Sequence, residues 1–343
     1  VKAVQFIEVG KPAQIVDIPQ PKPGPGEVLI KVAGAGVCHS DLHVLHDGIG
    51  IPGPFTLGHE NAGWIAELGA GVSGWEVGEP VAVYGPWGCG ICPECTTSNE
   101  SYCENVRLPD KLGGGLGYDG GMAEYMIVPS PRLLIRLGKL DPREAAPLSD
   151  AALTPYHAIK RALHLLTPGT TTLVLGVGGL GHMAVQLLKA VSATRIVAGD
   201  VDDEKLAHAR ELGADALVNT RDADAALKRI QEIAGKRGCI LVLDCVGVQP
   251  TVDLASKAVG MNSQLTVVGL GGGKLDWNAY ALPFGCSLMT PYWGSRKELM
   301  EVIALAQDGR IKAENTYYKL DEANEVYEKL NKGQIKGRAV LVP

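Results

Sequence analysis

The chain has 343 residues and a formal charge of −6, with 46% of residues apolar and 20% charged. That length supports two domains with their own cores, and that balance is ordinary for a globular chain. The acidic sign and the lack of a basic stripe exclude a dedicated nucleic-acid binder, and no uninterrupted apolar run is long enough for a membrane span. No basic segment followed by an apolar one opens the sequence, so a cytoplasmic location is expected.

Up to residue 150, short β-rich runs alternate with Gly and Pro punctuation, at 1–8, 27–35, 61–68, 80–83 and 122–128. The alternating Pro and Gly of residues 21–26 can continue neither a helix nor a central strand. Many short strands separated by turns predict a compact, barrel-like β domain over 1–150. The rhythm then becomes strand–helix–strand, with strands at 171–175, 195–199, 216–218, 240–244 and 264–268. Helical patterns at 180–191, 204–212, 223–234 and 251–259 fall between them. This alternation implies parallel strands with crossover helices, hence an α/β, doubly wound second domain over 151–292. From residue 293 the pattern shifts again. A helix over 297–306 stops at Gly309, Asp321 is placed as the N-cap of a last helix ending near Gly333, and a strand at 339–342 closes the chain. This tail, 293–343, is expected to return to the first domain.

Four of the eight cysteines crowd together as Cys89, Cys92, Cys95 and Cys103. Four soft donors at this spacing satisfy tetrahedral zinc and leave no open position, which describes a structural site. Iron–sulfur ligation and a cluster of core thiols are the competing readings. In the second domain the strand at 171–175 runs into Gly176-Val177-Gly178-Gly179-Leu180-Gly181. Gly176, Gly178 and Gly181 give a tight turn, room for a pyrophosphate against the backbone, and close packing of helix on strand. Gly179 and Leu180 complete a loop whose amides meet the phosphates at the helix start. Asp200, 19 positions past Gly181, ends the next strand. Its carboxylate can hold both ribose hydroxyls and would repel a 2′-phosphate, which favours NAD over NADP; as a turn acid beside Asp202 and Asp203 it has a second reading. Lys205 could reach the adenosine ribose, and Val246 and Val268 fall at later strand ends, where a cofactor would lie. Two further clusters carry ligand-type residues, Cys38-His39-Ser40-Asp41 and Gly58-His59-Glu60. Spacing alone leaves Cys38 and His59 open between metal ligands and core side chains.

Taken together and in this order, these motifs resemble the zinc-dependent medium-chain alcohol dehydrogenases. The likeness runs through the whole chain and includes the closing Lys336-Gly337-Arg338. It is nearest to bacterial NAD-dependent members acting on secondary alcohols, which share Ala145-Ala146-Pro147-Leu148-Ser149-Asp150 and Thr290-Pro291-Tyr292-Trp293-Gly294. The resemblance implies a GroES-like β-rich catalytic domain beside a Rossmann domain, NAD, and two zinc ions per chain, one catalytic and one structural. It implies Cys38, His59 and Asp150 as catalytic ligands, with Asp150 where many members carry cysteine. Glu60 matches a carboxylate that can approach the metal, and Asp41 one that orients His59. Ser40 matches the hydroxyl that takes the alcohol proton, which then passes through the cofactor ribose to His43; His46 competes for that last position. His39 and Arg338 match pyrophosphate contacts, and Thr154 a position near the nicotinamide. Trp87, Tyr292 and Trp293 are expected to wall the substrate pocket, with subunit packing as an equal account of the last two. The implied reaction is reversible hydride transfer between alcohols and ketones or aldehydes. A polyol or amino-alcohol dehydrogenase of sorbitol or threonine type is the alternative. A homotetramer or homodimer is expected, with small alcohols or ketones as the only other partners.

Overall fold

The computed structural model describes residues 1–106 and 111–343. The chain divides into two compact units, one of Val1–Leu153 with Trp293–Pro343 and one of Thr154–Tyr292.

The first unit begins with β1 (Lys2–Phe6), β2 (Gln14–Asp17), β3 (Val28–Gly36), β4 (Phe55–Thr56) and β5 (Glu60–Leu68). It continues with β6 (Pro80–Val83), β7 (Gly113–Gly114), β8 (Gly117–Tyr118), β9 (Tyr125–Val128) and β10 (Leu134–Arg136). β1 lies between β2 and β4, antiparallel to both. The larger sheet runs β10-β6-β5-β3, and β9 also pairs with β3. β3 is buried at every position but Lys31, because it carries partners on both edges. Its end is rich in small residues for a local reason. Gly36 pairs with Glu60 across the β3–β5 ladder, and a Cβ on Gly36 would collide with the Glu60 carboxylate. A glycine there makes room for a buried acid.

The second unit holds β11 (Thr171–Leu175), β12 (Arg195–Asp200), β13 (Ala216–Asn219), β14 (Cys239–Asp244), β15 (Val259–Val267) and β16 (Ser287–Met289). Among the described residues they form one sheet in the order β13-β12-β11-β14-β15-β16, parallel throughout. The order reverses between β11 and β14, the switch point of a doubly wound sheet. Every residue of β11 and β14 is buried, as expected of strands covered by helices on both faces. Each of Leu173, Val197, Val242 and Leu265 is fully buried, worth roughly 1.5–3 kcal/mol per side chain. The helices start at acids that accept the first free amides: Asp202 caps Asp203–Glu211 and Asp222 caps Ala223–Ala234.

The tail rejoins the first unit. Tyr84 donates its hydroxyl to the Gly294 carbonyl at 2.5 Å, fixing the point of return. The helix Arg296–Gln307 opens on a capping box of Ser295 with Glu298. β17 (Asn315–Lys319) then lies parallel to β18 (Arg338–Val342), and β18 joins the sheet antiparallel to β3.

Two sequence expectations change. Asp321 is not a helix cap, because a 3-10 turn over Leu320–Glu322 precedes the helix Ala323–Asn331. Glu322 closes that turn by accepting from the Lys319 amide, while Asp321 faces Lys2 Nζ at 2.6 Å. The strand expected at 122–128 is reduced to Tyr125–Val128, and Ala123 keeps only an isolated bridge to Ala3. No helix among the described residues is long and apolar enough to cross a membrane.

Candidate active site

The four crowded cysteines converge. Their sulfurs lie within 4.8 Å of one another, with Cys89 to Cys95 and Cys92 to Cys103 each at 3.9 Å. Four thiolates at tetrahedral positions about 2.3 Å from zinc stand about 3.8 Å apart, whereas a disulfide needs about 2.05 Å. The donor set therefore fits one zinc ion and no disulfide, and a cluster with several irons would force the sulfurs further apart. The loop also supplies donors to sulfur. The Cys89 amide points at Cys103 Sγ, the Cys92 amide at Cys89 Sγ, and Asn105 Nδ2 at Cys89 Sγ. Hydrogen bonds, first that of the Ile91 amide and then that of Asn105, pull the Cys89 thiol down to about 6. Burial pushes Cys95 up to about 12.

The second constellation forms where β3, β5 and β18 begin or end. Cys38 follows β3 and opens a single helical turn, His39–Leu42. His59 immediately precedes β5, and Asp150 follows the 3-10 turn Ala146–Ser149. One ligand atom each from Cys38, His59, Glu60 and Asp150 lies within 4.8 Å of the others. Cys38 Sγ is 3.5 Å from Asp150 Oδ2, which is 3.6 Å from His59 Nε2. Sulfur, nitrogen and oxygen donors about 2.0–2.3 Å from one ion stand about 3.3–3.8 Å apart. His59 is 1% exposed, yet neither ring nitrogen makes a hydrogen bond among the described residues. A buried ring nitrogen without a hydrogen bond needs an explanation, and a metal on Nε2 provides one. Asp41 Oδ1 stands 3.2 Å from Nδ1, and Asp41 Oδ2 accepts from the Cys38 amide at 2.9 Å. Burial opposes a charge on His59, but Asp41, Asp150 and Cys38 outweigh it and hold its pKa well above the ordinary value.

Glu60 is occupied differently. The Arg338 guanidinium makes two hydrogen bonds to its carboxylate, and Arg338 Nη2 also lies 3.7 Å from Asp150 Oδ2. Burial raises Glu60 to about 7, while Arg338 opposes that shift. Cys38, His59 and Asp150 are thus three donors of mixed softness around one point, with the Glu60 carboxylate held beside them by Arg338.

In the second unit, Gly176 turns the chain at φ +82°, and a Cβ there would strike the Val246 side chain. A Cβ on Gly181 would strike the Gly176 carbonyl, so this glycine serves helix-on-strand packing. Gly178 is different: a Cβ there would meet no atom within 4 Å. The chain itself does not require that glycine, and a ligand laid against the backbone does, so the loop fits a pyrophosphate. Asp200 already accepts from the Val177 amide at 2.7 Å and the Asp202 amide at 3.0 Å, so it braces the loop and keeps further acceptor lone pairs. Leu180 caps the helix Gly181–Val191, and Lys205 is half-buried. Asp244 accepts from the Val246 and Gly247 amides and its carbonyl from those of Val268 and Gly269, tying two loops to one residue.

Other expected residues fall out unevenly. Ser40 Oγ lies 3.6 Å from Cys38 Sγ. His43, half-buried, contacts Asp47 Oδ2 through Nδ1 at 2.7 Å, whereas His46 is exposed. His39 is exposed and Thr154 buried. Trp293 packs edge-on to His59, ring centroids 5.5 Å apart, and donates its indole N–H to the Ser149 carbonyl. Trp87 stacks with Tyr118 and donates to the Tyr84 carbonyl, because its indole needs a buried acceptor. Tyr292 belongs to the second unit and is 40% exposed. Arg338 holds the Glu60 carboxylate through Nε and Nη2, since a buried guanidinium needs its countercharge close by. Sequence reasoning missed that pairing. It also missed the buried contacts of Glu100 with Arg132 and Arg296, which no spacing signals.

Residues 24–139 match the family model of the alcohol dehydrogenase GroES-like domain, and residues 179–308 that of the zinc-binding dehydrogenases. The chain is 36% identical to an NAD-dependent alcohol dehydrogenase of Sulfurisphaera tokodaii, over the full length of both. The crystal structure of the alcohol dehydrogenase of Aeropyrum pernix is 39% identical, with a TM-score of 0.91 and full coverage of both chains. Acetophenone reductase of Geotrichum candidum, solved with NAD, is 34% identical with a TM-score of 0.87, covering 100% of this chain and 97% of its own.

Replacing Asp150 by Ala should lower metal content by about one zinc per chain, because three-donor sites lose retention when one donor goes. Elemental analysis of the purified variant checks this; two retained ions would remove Asp150 from the ligand set.

Proposed function

The chain belongs to the zinc-dependent alcohol dehydrogenase family, and on that premise we propose that it moves hydride reversibly between alcohols and ketones or aldehydes, with NAD as its cofactor. The observation that carries this reading is the convergence of Cys38, His59 and Asp150 on one buried point, with no hydrogen bond at His59 Nε2. When bound, zinc supplies Lewis acidity that makes an alcohol hydroxyl easier to deprotonate, and NAD supplies the hydride acceptor.

The chain's own residues handle position and protons. Cys38, His59 and Asp150 hold the catalytic ion, while Cys89, Cys92, Cys95 and Cys103 hold the structural one. Asp41 orients His59, and Arg338 keeps Glu60 engaged on the near side of the set. The Ser40 hydroxyl accepts the alcohol proton as it passes its own on toward His43. His43 releases it to solvent: its Nδ1 is turned to Asp47, which leaves Nε2 as the receiving nitrogen. Trp293, lying against His59, presents an apolar surface that suits a secondary alcohol or a ketone with a hydrophobic substituent. The acetophenone reductase relative is in keeping with that choice. In the second unit Gly176–Gly181 receives the pyrophosphate and Asp200 the ribose, which selects NAD. Lys205 is assigned to the same ribose, His39 to a phosphate, and Thr154, Val246 and Val268 to the nicotinamide end.

The reading extends to compartment and assembly. None of the eight cysteines is in a disulfide, which fits a reducing cytoplasm. β16 is an edge strand with Leu288 exposed, and Trp277, Tyr280 and Phe284 nearby in sequence are exposed too. An open edge with apolar neighbours is suited to pairing with a second copy. Light scattering should then give two or four times the 36.1 kDa chain mass, and a monomer at micromolar concentration would contradict it.

Ser40→Ala should keep both zinc ions and NAD binding yet lose roughly 100- to 10,000-fold in kcat, the usual range for a removed proton acceptor. Steady-state kinetics with metal analysis decide the matter, since full turnover would eliminate Ser40 from proton transfer.

A further inference from the structure

Glu100 sits inside the cysteine lobe, between Cys95 and Cys103, with its side chain wholly buried. Its Oε1 accepts from Arg132 Nη1 at 2.7 Å and from Arg296 Nε at 3.1 Å. Both guanidiniums reach further into the lobe. Arg132 Nη2 donates to the carbonyls of Trp87 and Gly88, at 2.5 and 3.1 Å, immediately ahead of Cys89. Arg296 Nη2 donates to Ser98 Oγ at 3.0 Å, and its backbone amide to the Ser98 carbonyl at 2.8 Å. Ser98 holds φ +68°, a left-handed conformation that a non-glycine residue keeps only when its surroundings enforce it. One carboxylate thus ties together the stretch before Cys89 and the stretch from Cys95 to Cys103. The two arginines come from outside the lobe, Arg132 from the turn Pro131–Leu133 and Arg296 from the head of the helix Arg296–Gln307.

We propose that Glu100, acting through Arg132 and Arg296, is a positioning clamp that sets how firmly the four-cysteine site keeps its zinc. The proposal rests on reading Cys89, Cys92, Cys95 and Cys103 as a zinc site. Four thiolates around a divalent ion carry a net charge of about −2, which a half-buried lobe must balance with nearby positive charge. Two guanidiniums against one carboxylate leave one positive charge over. Glu100 keeps both arginines turned inward, where they also hold the carbonyls that shape the Cys89 turn. Among the described residues none of these three side chains donates to a cysteine sulfur, so the effect runs through loop position. The lobe has little apolar packing of its own: its core is Cys92, Cys95 and Cys103, with Cys89 and Val106 against them.

The test uses the purified holoenzyme well below its unfolding temperature. Zinc release to a chromogenic chelator is followed together with iodoacetamide alkylation of each cysteine, read by peptide mass spectrometry. The wild-type enzyme should hold two zinc ions and react slowly at Cys89, Cys92, Cys95 and Cys103. Glu100→Gln should speed alkylation of those four by about 10- to 100-fold, the usual cost of removing a support behind metal ligands, and leave Cys38 at the wild-type rate. Arg296→Lys, which keeps the charge but not the fork, should act in the same direction by less, and stands in if Glu100→Gln does not fold. Unchanged alkylation in the folded variants overturns the clamp, as does an equal rise at Cys38, which would mean general loosening. A wild-type chain with freely reactive lobe thiols and no second zinc overturns the zinc reading itself, and the clamp with it.

Discussion

Burying Cys38, His59, Glu60 and Asp150 within 4.8 Å of one another creates an electrostatic demand that the polypeptide meets only in part. Arg338 answers Glu60 and Asp41 stands beside His59, but the remaining donors face each other. Like charges at that range in a low-dielectric interior cannot all ionise without a cation. The rest of the first unit follows from accommodating this cluster. Gly36 yields the space that Glu60 fills, Pro147 and its neighbours turn Asp150 inward, and Trp293 closes over His59.

The topology explains why distant stretches of sequence make one site. β3 is paired along its length with β5, β9 and β18, so the residues at one end of that group are neighbours in space. Cys38 leaves β3 there, His59 enters β5 there, and Arg338 begins β18 there. The last strand of the chain is therefore part of the metal centre's wall. The second unit solves a separate problem by separate means. Its switch point and glycine loop leave an opening at Gly178 that no protein atom fills.

Periodicity made most of the second unit readable, though β15 begins at Val259 rather than 264 and β16 left no signal. β11 and the helix Ala223–Ala234 coincide with the runs expected, because buried parallel strands and amphipathic helices have strong patterns. The Cys89–Cys103 site was readable because its ligands are close in sequence. The catalytic cluster was not readable from spacing: its donors come from three segments, and only a family resemblance joined them. Arg338 shows the limit of that resemblance, since it named the residue but not the Glu60 carboxylate it serves. Asp321 failed for a local reason, as a 3-10 turn displaces the helix start and no sequence rule separates that turn from a cap. Glu100, Arg132 and Arg296 left no trace, because a contact between residues up to 196 positions apart exists only in the fold.

The central claim is that the Cys38, His59 and Asp150 centre drives NAD-linked alcohol oxidation. The most direct measurement follows NAD reduction across primary alcohols, secondary alcohols and polyols, with the enzyme as purified, after chelation, and after zinc is returned. The account predicts turnover that is highest with secondary alcohols, is abolished by complete zinc removal and is restored by zinc. Undiminished NAD reduction by enzyme shown to hold no zinc would contradict it.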